Sequence, residues 1–259
     1  MTSPEIETAA EPLLLPLHPG VGAELRGVDL RNTAEDAVRR VRDALLSHLL
    51  VVIRDQKLEP ADLAAVAGRF GEAETFADKG HPDCPEVMTV SNRPGKGDET
   101  PPYWHSDGML QPEPPMLTLF YAVEVPKVGG DTLFLNAQAA LEALPEAERR
   151  RLGSLRGVQT NGVEHPIVRA HPITGRKALY VDLGLTVGVA GIPRDDAISL
   201  FRRLKHHCDR PEQIYRHRFR PGDLVIWDNA ATAHSATETP PGGGARLMLR
   251  ATVRGGPTS

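Results

Sequence analysis

The sequence predicts a mainly β fold with a few appended helices, of the sandwich or barrel kind. Short apolar or alternating stretches recur along the chain between Gly- and Pro-containing turns, the punctuation of many short strands. Helical spacing of apolar residues occurs in only a few windows, and there are no internal repeats or low-complexity segments.

Taken in order, residues 1–11 read as a flexible N-terminus and 12–259 as a single domain. Residues 12–31 read as short strands and turns punctuated by Gly20, Gly22 and Gly27. Thr33 is placed to cap a helix in which Val38, Val41, Leu45 and Leu49 share one face. The run LLVVI at 49–53 is apolar and β-branched, which suits a buried strand. A second helix spans 60–70 and is expected to stop at Gly71. Residues 72–103 are rich in Gly, Pro, Asp and Lys, broken by the short apolar run EVMTVSN, and read as a lid. Met116–Val125 is apolar on both faces, as a central strand would be. Further strands are expected near 132–135, 154–160, 178–183, 214–220, 223–228 and 246–253, with helices near 137–144 and 194–207.

Composition excludes several function classes. There are 30 basic and 34 acidic residues, a net charge of −4, so nothing favours nucleic acid or an anionic membrane as partner. Aromatic content of 5% argues against a stacking platform for single strands. Two cysteines, Cys84 and Cys208, are too few for a disulfide framework and fit a reducing cytoplasm. The acidic N-terminus lacks the charge of a signal peptide, and its apolar run is too short to span a membrane.

Chemistry concentrates in YWHSDGML at 103–110. In an extended strand His105 and Asp107 would lean to one face, as two ligands of one metal must. His234, in WDNAATAH, is the candidate third ligand. Two histidines and one carboxylate leave other metal positions open, the set used by non-haem Fe(II) oxygenases. The remaining histidines read as structural or solvated: His165 and His171 precede prolines, His217 alternates with Tyr215 and Phe219, and His206 and His207 close a helix as solvated residues. In RLMLRATVR, Arg246, Met248, Arg250, Thr252 and Arg254 share one face. Alternation alone favours arginines in water; the other reading turns Arg246 and Arg250 into a barrel mouth, where the planar guanidinium suits carboxylates.

His105, Asp107, His234 and Arg246, in that order, resemble the Fe(II)/2-oxoglutarate-dependent dioxygenases, and more narrowly the taurine and 2,4-dichlorophenoxyacetate dioxygenase (TauD/TfdA) family. So do GAELRGVDL, HLLVVIRDQKLEPADLAAVAGRFGE, GGDTLFLNAQAALEAL, HPIVRAHPITGRKALYV and YRHRFRPGDLVIWDNAATAHSAT, across residues 12–254. The resemblance implies a double-stranded β-helix, a cupin-like jelly-roll. It implies that His105, Asp107 and His234 hold Fe(II), that Arg246 and Thr132 take the far carboxylate of the cosubstrate 2-oxoglutarate, and that Arg250 sits nearer the substrate. It implies O2-dependent hydroxylation of an unactivated C–H bond of a small, anionic molecule, with succinate and CO2 released, or desaturation or cyclisation by the same chemistry. Asp107 argues against halogenation, because a small residue there would be needed to admit chloride. Trp227, Asp228 and Asn229 become structural neighbours of the site. The resemblance also implies a homo-oligomer, since relatives are often dimers or tetramers. Two departures stand out: Ala230 replaces a common arginine after WDN, and residues 73–82 do not follow the taurine enzymes. A zinc hydrolase would need a general base near the metal, and the chain has no H-E-x-x-H helix. A non-catalytic jelly-roll would have no reason to keep the ligands and both arginines.

Overall fold

The computed structural model describes residues 13–32, 35–93 and 101–258. The Thr33 cap and the flexible 1–11 segment fall outside these residues.

Strands β1 (Leu13–Pro16) and β2 (Ala23–Arg26) pair antiparallel. Helix α1 (Glu35–His48) carries Glu35 and Asp36 in its first turn, where negative charge suits the helix dipole, and buries Val38, Val41, Ala44 and Leu45 along one stripe. Leu49 follows at φ 66°, and the fully buried β3 (Leu50–Ile53) begins. Helix α2 (Pro60–Gly68) opens on proline, whose missing N–H would have no partner there anyway. It ends before Gly71; that glycine lies against Val253 instead, and a Cβ on it would come within 2.7 Å of the valine side chain. Next come β4 (Gly80–His81) and β5 (Cys84–Ser91). The apolar run inside 72–103 is thus an eight-residue strand of the main sheet and not a covering segment. Residues 94–100 of that stretch lie outside the described ones.

Strand β6 (Leu117–Glu124) is central as expected, and β7 (Thr132–Asn136) leads into α3 (Ala137–Glu142), capped by the Asn136 side chain on the Ala139 N–H. The short, polar α4 (Glu146–Leu152) escaped sequence reading. Strands β8 (Arg156–Gln159), β9 (Glu164–Pro166), β10 (Val168–Ala170), β11 (Lys177–Leu179) and β12 (Thr186–Val189) precede α5 (Arg194–Cys208). The chain closes with β13 (Ile214–His217), β14 (Leu224–Asp228), β15 (Thr232–Ala236) and β16 (Leu247–Val253). Among the described residues no helix is long and apolar enough to cross a membrane.

The main sheet runs β1-β2-β3-β14-β6-β16-β5-β4, and a second runs β13-β7-β15. Alternation assigns each side chain to a layer. Leu224 and Ile226 of β14, Leu119 and Tyr121 of β6, and Leu249 and Ala251 of β16 pack with α1 and α2. The opposite parity (Val225, Trp227, Phe120, Ala122, Met248) packs with Phe134 of the second sheet. That sheet's other face, through Leu135 and Ala233, packs against α3 and α5. The result is a jelly-roll, as the resemblance implies, with helices on both outer faces.

Between the sheets, fully buried His217 donates from Nε2 to Asp223 Oδ2 at 3.1 Å and accepts from the Tyr215 hydroxyl at Nδ1, 3.0 Å away, an arrangement of neutral imidazole and ionised carboxylate. Burial holds His217 below its ordinary value despite the pull of Asp223. For Asp223 burial works the other way, but the bonds from His217 and the Arg220 N–H, with the charges of His217 and Arg54, lower it overall. The unfolded chain therefore takes up more protons than the folded one below about pH 6.5 at the histidine, and below about pH 4 at the carboxylate. Stability should fall on acidification in both windows. His217→Gln should flatten the slope of melting temperature against pH between 7 and 5; parallel slopes would refute this.

A candidate metal centre flanked by two inward arginines

His105 is tied to His234 by paired backbone hydrogen bonds, 3.0 Å from the His105 N–H and 2.8 Å from the His234 N–H, which makes it the next rung beside β15. The strand goes no further. Asp107 already lies in a turn, and Gly108 adopts φ 70° against Pro115, where a Cβ would collide. The two residues thus sit at a strand end and not within a regular strand, yet both reach one space.

His105, Asp107 and His234 are all buried, and each presents one ligand atom within 4.8 Å of the others; among the described residues no other group of His, Cys, Asp or Glu does so. His105 Nδ1 lies 2.8 Å from the Tyr103 carbonyl, which fixes the proton there and leaves Nε2 with its lone pair. The His234 ring is held by Trp227 at 4.9 Å and Phe134 at 6.0 Å between centroids, and its Nε2 is 4.0 Å from Asp107 Oδ1. Burial keeps His234 down at about 3 against the pull of Asp107, so its imidazole is neutral. For Asp107 burial opposes ionisation, but Arg250, His234, His105 and a hydrogen bond from Thr118 outweigh it and hold the carboxyl at about 2. Two neutral imidazoles and one ionised carboxylate facing one space fit a divalent metal.

Arg246, immediately ahead of β16, and Arg250 within it both point inward, so for these two the solvent reading that alternation favours is overturned. Parity says which residues share a face; only sheet packing says which face is covered. Arg250 donates from Nη1 to Asp107 Oδ1 at 3.2 Å, lies over the Phe76 ring at 5.6 Å, and keeps a buried Nε without a hydrogen-bond partner. Arg246 is 6% exposed. Its Nε donates to the Gly130 carbonyl at 3.2 Å, and its guanidinium lies over Phe120 and Phe219 at 5.3 and 5.8 Å. Burial lowers Arg246 to about 10 despite Asp131, which still leaves it charged at neutral pH. Gly130 takes φ 70°, and a Cβ there would press to 3.2 Å from Arg246 Cδ, so the GGD turn makes room for this side chain. Two residues on, the Thr132 hydroxyl is buried without a partner. Arg246 also lines a cleft of about 300 Å³ with Ser91, Asn92, Ala236 and Thr237. A cationic fork and an orphan hydroxyl fit a carboxylate.

The larger cavity, about 880 Å³, lies elsewhere and takes in His81 and Cys84 but none of the three candidate ligands. Volume is a poorer guide here than donor chemistry. Within the 73–82 segment, Phe76 therefore neighbours the site through Arg250, and His81 faces the other cavity.

His165 and His171 are structural. His171 Nε2 contacts Asp228 Oδ2 at 2.6 Å, and His165 Nε2 contacts the Met109 carbonyl at 2.9 Å. His207 corrects an expectation: it is buried, with Nε2 at 2.7 Å from the Ala140 carbonyl, and not solvated. Its place three residues after buried Leu204 on α5 was the available signal. Thr118, which the sequence reading passed over, donates to Asp107 Oδ2 at 2.6 Å.

Comparison with known proteins places this geometry. The profile of the family described as "Taurine catabolism dioxygenase TauD, TfdA family" matches residues 14–252. The alpha-ketoglutarate-dependent sulfate ester dioxygenase of Pseudomonas putida is 30% identical over 295 residues, covering 98% of this chain and 94% of that protein. The alpha-ketoglutarate-dependent 2,4-dichlorophenoxyacetate dioxygenase of Cupriavidus pinatubonensis is 30% identical, covering 85% of this chain and 90% of that protein. A crystal structure of a taurine dioxygenase from Burkholderia xenovorans superposes with a TM-score of 0.86 at 32% identity, over 95% of this chain and 90% of that one. The chain belongs to the TauD/TfdA family of dioxygenases, oxidoreductases that use Fe(II), 2-oxoglutarate and O2.

Proposed function

We propose that His105, Asp107 and His234 hold Fe(II), that Arg246 and Thr132 anchor the far carboxylate of 2-oxoglutarate, and that Arg250 binds an anionic group of a small substrate. The observation that carries this reading is the buried triad, whose only carboxylate is held ionised beside an inward arginine. When bound, the iron with 2-oxoglutarate and O2 supplies the oxidising power to hydroxylate an unactivated C–H bond, releasing succinate and CO2. The chain's own residues do the rest. His105 and His234 stay neutral donors, Asp107 balances charge, and Arg246 fixes the cosubstrate at its far end. Arg250 orients the substrate from the metal side. A sulfate ester, 2,4-dichlorophenoxyacetate and taurine, named in the relatives, each carry an anionic group, which matches an arginine in that place. Residues 72–83, which bring Phe76 to Arg250, act as part of a lid. Two buried, unpaired cysteines suit a cytoplasmic protein.

The test is succinate release from 2-oxoglutarate with Fe(II) and O2, across a panel of alkyl sulfates, sulfonates and aryloxy acids. Stimulation by at least one anionic class is expected, and stimulation only by uncharged compounds would refute the substrate reading. Arg250→Ala should raise the substrate KM by about 10- to 100-fold, the worth of a hydrogen bond to a charged group, with the 2-oxoglutarate KM little changed. Loss confined to the cosubstrate would show that Arg250 serves the other ligand.

A further inference from the structure

Behind Asp107 lies a hydrogen-bonded chain whose polarity is fully determined. Trp227 Nε1 can only donate, and it donates to Asn229 Oδ1 at 3.0 Å; the Asp107 backbone N–H reaches the same oxygen at 3.3 Å. With its oxygen so engaged, Asn229 turns its amide nitrogen to Thr118 and donates to Oγ1 at 2.8 Å. The Thr118 oxygen is then an acceptor from one side, and its single proton goes to Asp107 Oδ2 at 2.6 Å. Thr118 and Asn229 are completely buried, so water does not compete for these bonds. The other carboxylate oxygen, Oδ1, is the one that faces His234 and Arg250.

A buried threonine in an apolar strand is ordinarily a stand-in for valine. This one differs, because both bonds of its hydroxyl run to side chains, and one of them is a candidate metal ligand.

We propose that Thr118 is a positioning residue that restricts Asp107 to a single metal-binding oxygen, Oδ1, through the relay Trp227–Asn229–Thr118. The inference rests on the reading of His105, Asp107 and His234 as ligands. Binding through one oxygen leaves the remaining metal positions for a two-point cosubstrate and O2, whereas a carboxylate free to use both oxygens would occupy one of them. The relay begins at the Trp227 side chain on β14 and ends on a residue just past a strand end, so it fixes Asp107 where the local backbone is a turn.

The experiment uses the full chain, with Mn(II) as probe and free Mn(II) read by electron paramagnetic resonance. Thr118→Val keeps the shape and removes the proton; Thr118→Ser keeps the proton. Thr118→Val should weaken Mn(II) binding by about 10- to 100-fold, the usual effect of removing a bond that orients a ligand, and Thr118→Ser should stay close to wild type. Thr118→Val should also raise the ratio of 2-oxoglutarate consumed to substrate hydroxylated. If Thr118→Val does not fold, Asn229→Ala, which frees the threonine proton to rotate, should weaken Mn(II) binding in the same direction. In the double variant the two losses should not add, as for members of one chain of bonds. Wild-type affinity in Thr118→Val and Asn229→Ala would overturn the proposal, and so would equal losses in Thr118→Val and Thr118→Ser, which would mark a packing role. Failure of the wild-type protein to bind Mn(II) would instead refute the ligand reading beneath it.

Discussion

Asp107→Ala is expected to abolish divalent metal binding and, with it, succinate formation. The side chain does two things at once. It supplies the only carboxylate of the triad, and it balances Arg250, whose Nη1 lies 3.2 Å from Oδ1. Without it, an incoming divalent ion meets two neutral imidazoles and an uncompensated guanidinium. A unit charge about 5 Å from a divalent ion at an effective dielectric of about 20 is worth roughly 7 kcal/mol, some five orders of magnitude in affinity. Asp107→Asn keeps the shape and separates loss of charge from loss of packing; it should fail almost as completely. Metal affinity by titration and succinate by direct assay check both variants, and unchanged succinate formation in Asp107→Ala would remove iron from this site.

Arg246→Ala is expected to raise the 2-oxoglutarate KM by about 30-fold or more, with a smaller effect on the substrate KM. Truncating one member of a buried charge pair costs about 2–5 kcal/mol. The site gives the side chain no freedom to be replaced by a neighbour. The Arg246 backbone N–H is held by Asn92 Oδ1 at 2.9 Å, its Nε by the Gly130 carbonyl, and its planar face by Phe120 and Phe219. Arg246→Lys should recover only part of the loss, because an ammonium lacks the two-pronged geometry. Thr132→Val should cost about tenfold, in keeping with one hydroxyl hydrogen bond. A 2-oxoglutarate KM that stays at the wild-type value in Arg246→Ala would show that this arginine only supports the fold.

Much of the fold was legible because strands announce themselves by composition. The runs at 49–53, 116–125 and 223–228 are apolar on both parities, and they became the adjacent central strands β3, β6 and β14. Among the pieces that escaped, α4, β9, β10 and β12 are short and carry too few apolar residues to show a period. His105 and Asp107 stood out through their spacing, although the strand that justified the spacing ends between them. The His105–His234 rung is a contact across 129 positions, which no local pattern encodes. Arg246 and Arg250 were legible as partners on one face, not as inward residues, since that depends on α1 and α2 covering the other face. Thr118 gave only a faint signal, one hydroxyl on the inward parity of an apolar strand; its role depends on Asn229, which lies 111 residues away.

The parity of β16 has a consequence for how this chain can change. From Met248 on, its residues are two interleaved messages: Met248, Arg250 and Thr252 face the space between the sheets, and Leu249, Ala251 and Val253 write the seat of α1 and α2. Inserting or deleting one residue within the strand would exchange the messages, sending a guanidinium into the helix-facing core and leucine into the chamber. Single-residue length changes are therefore forbidden inside β16, whereas a length change in the exposed turn at 240–242, ahead of the strand, leaves its parity untouched. Diversification of such a chamber proceeds by substitution on one parity and by remodelling of the loops that feed it, not by sliding the strand.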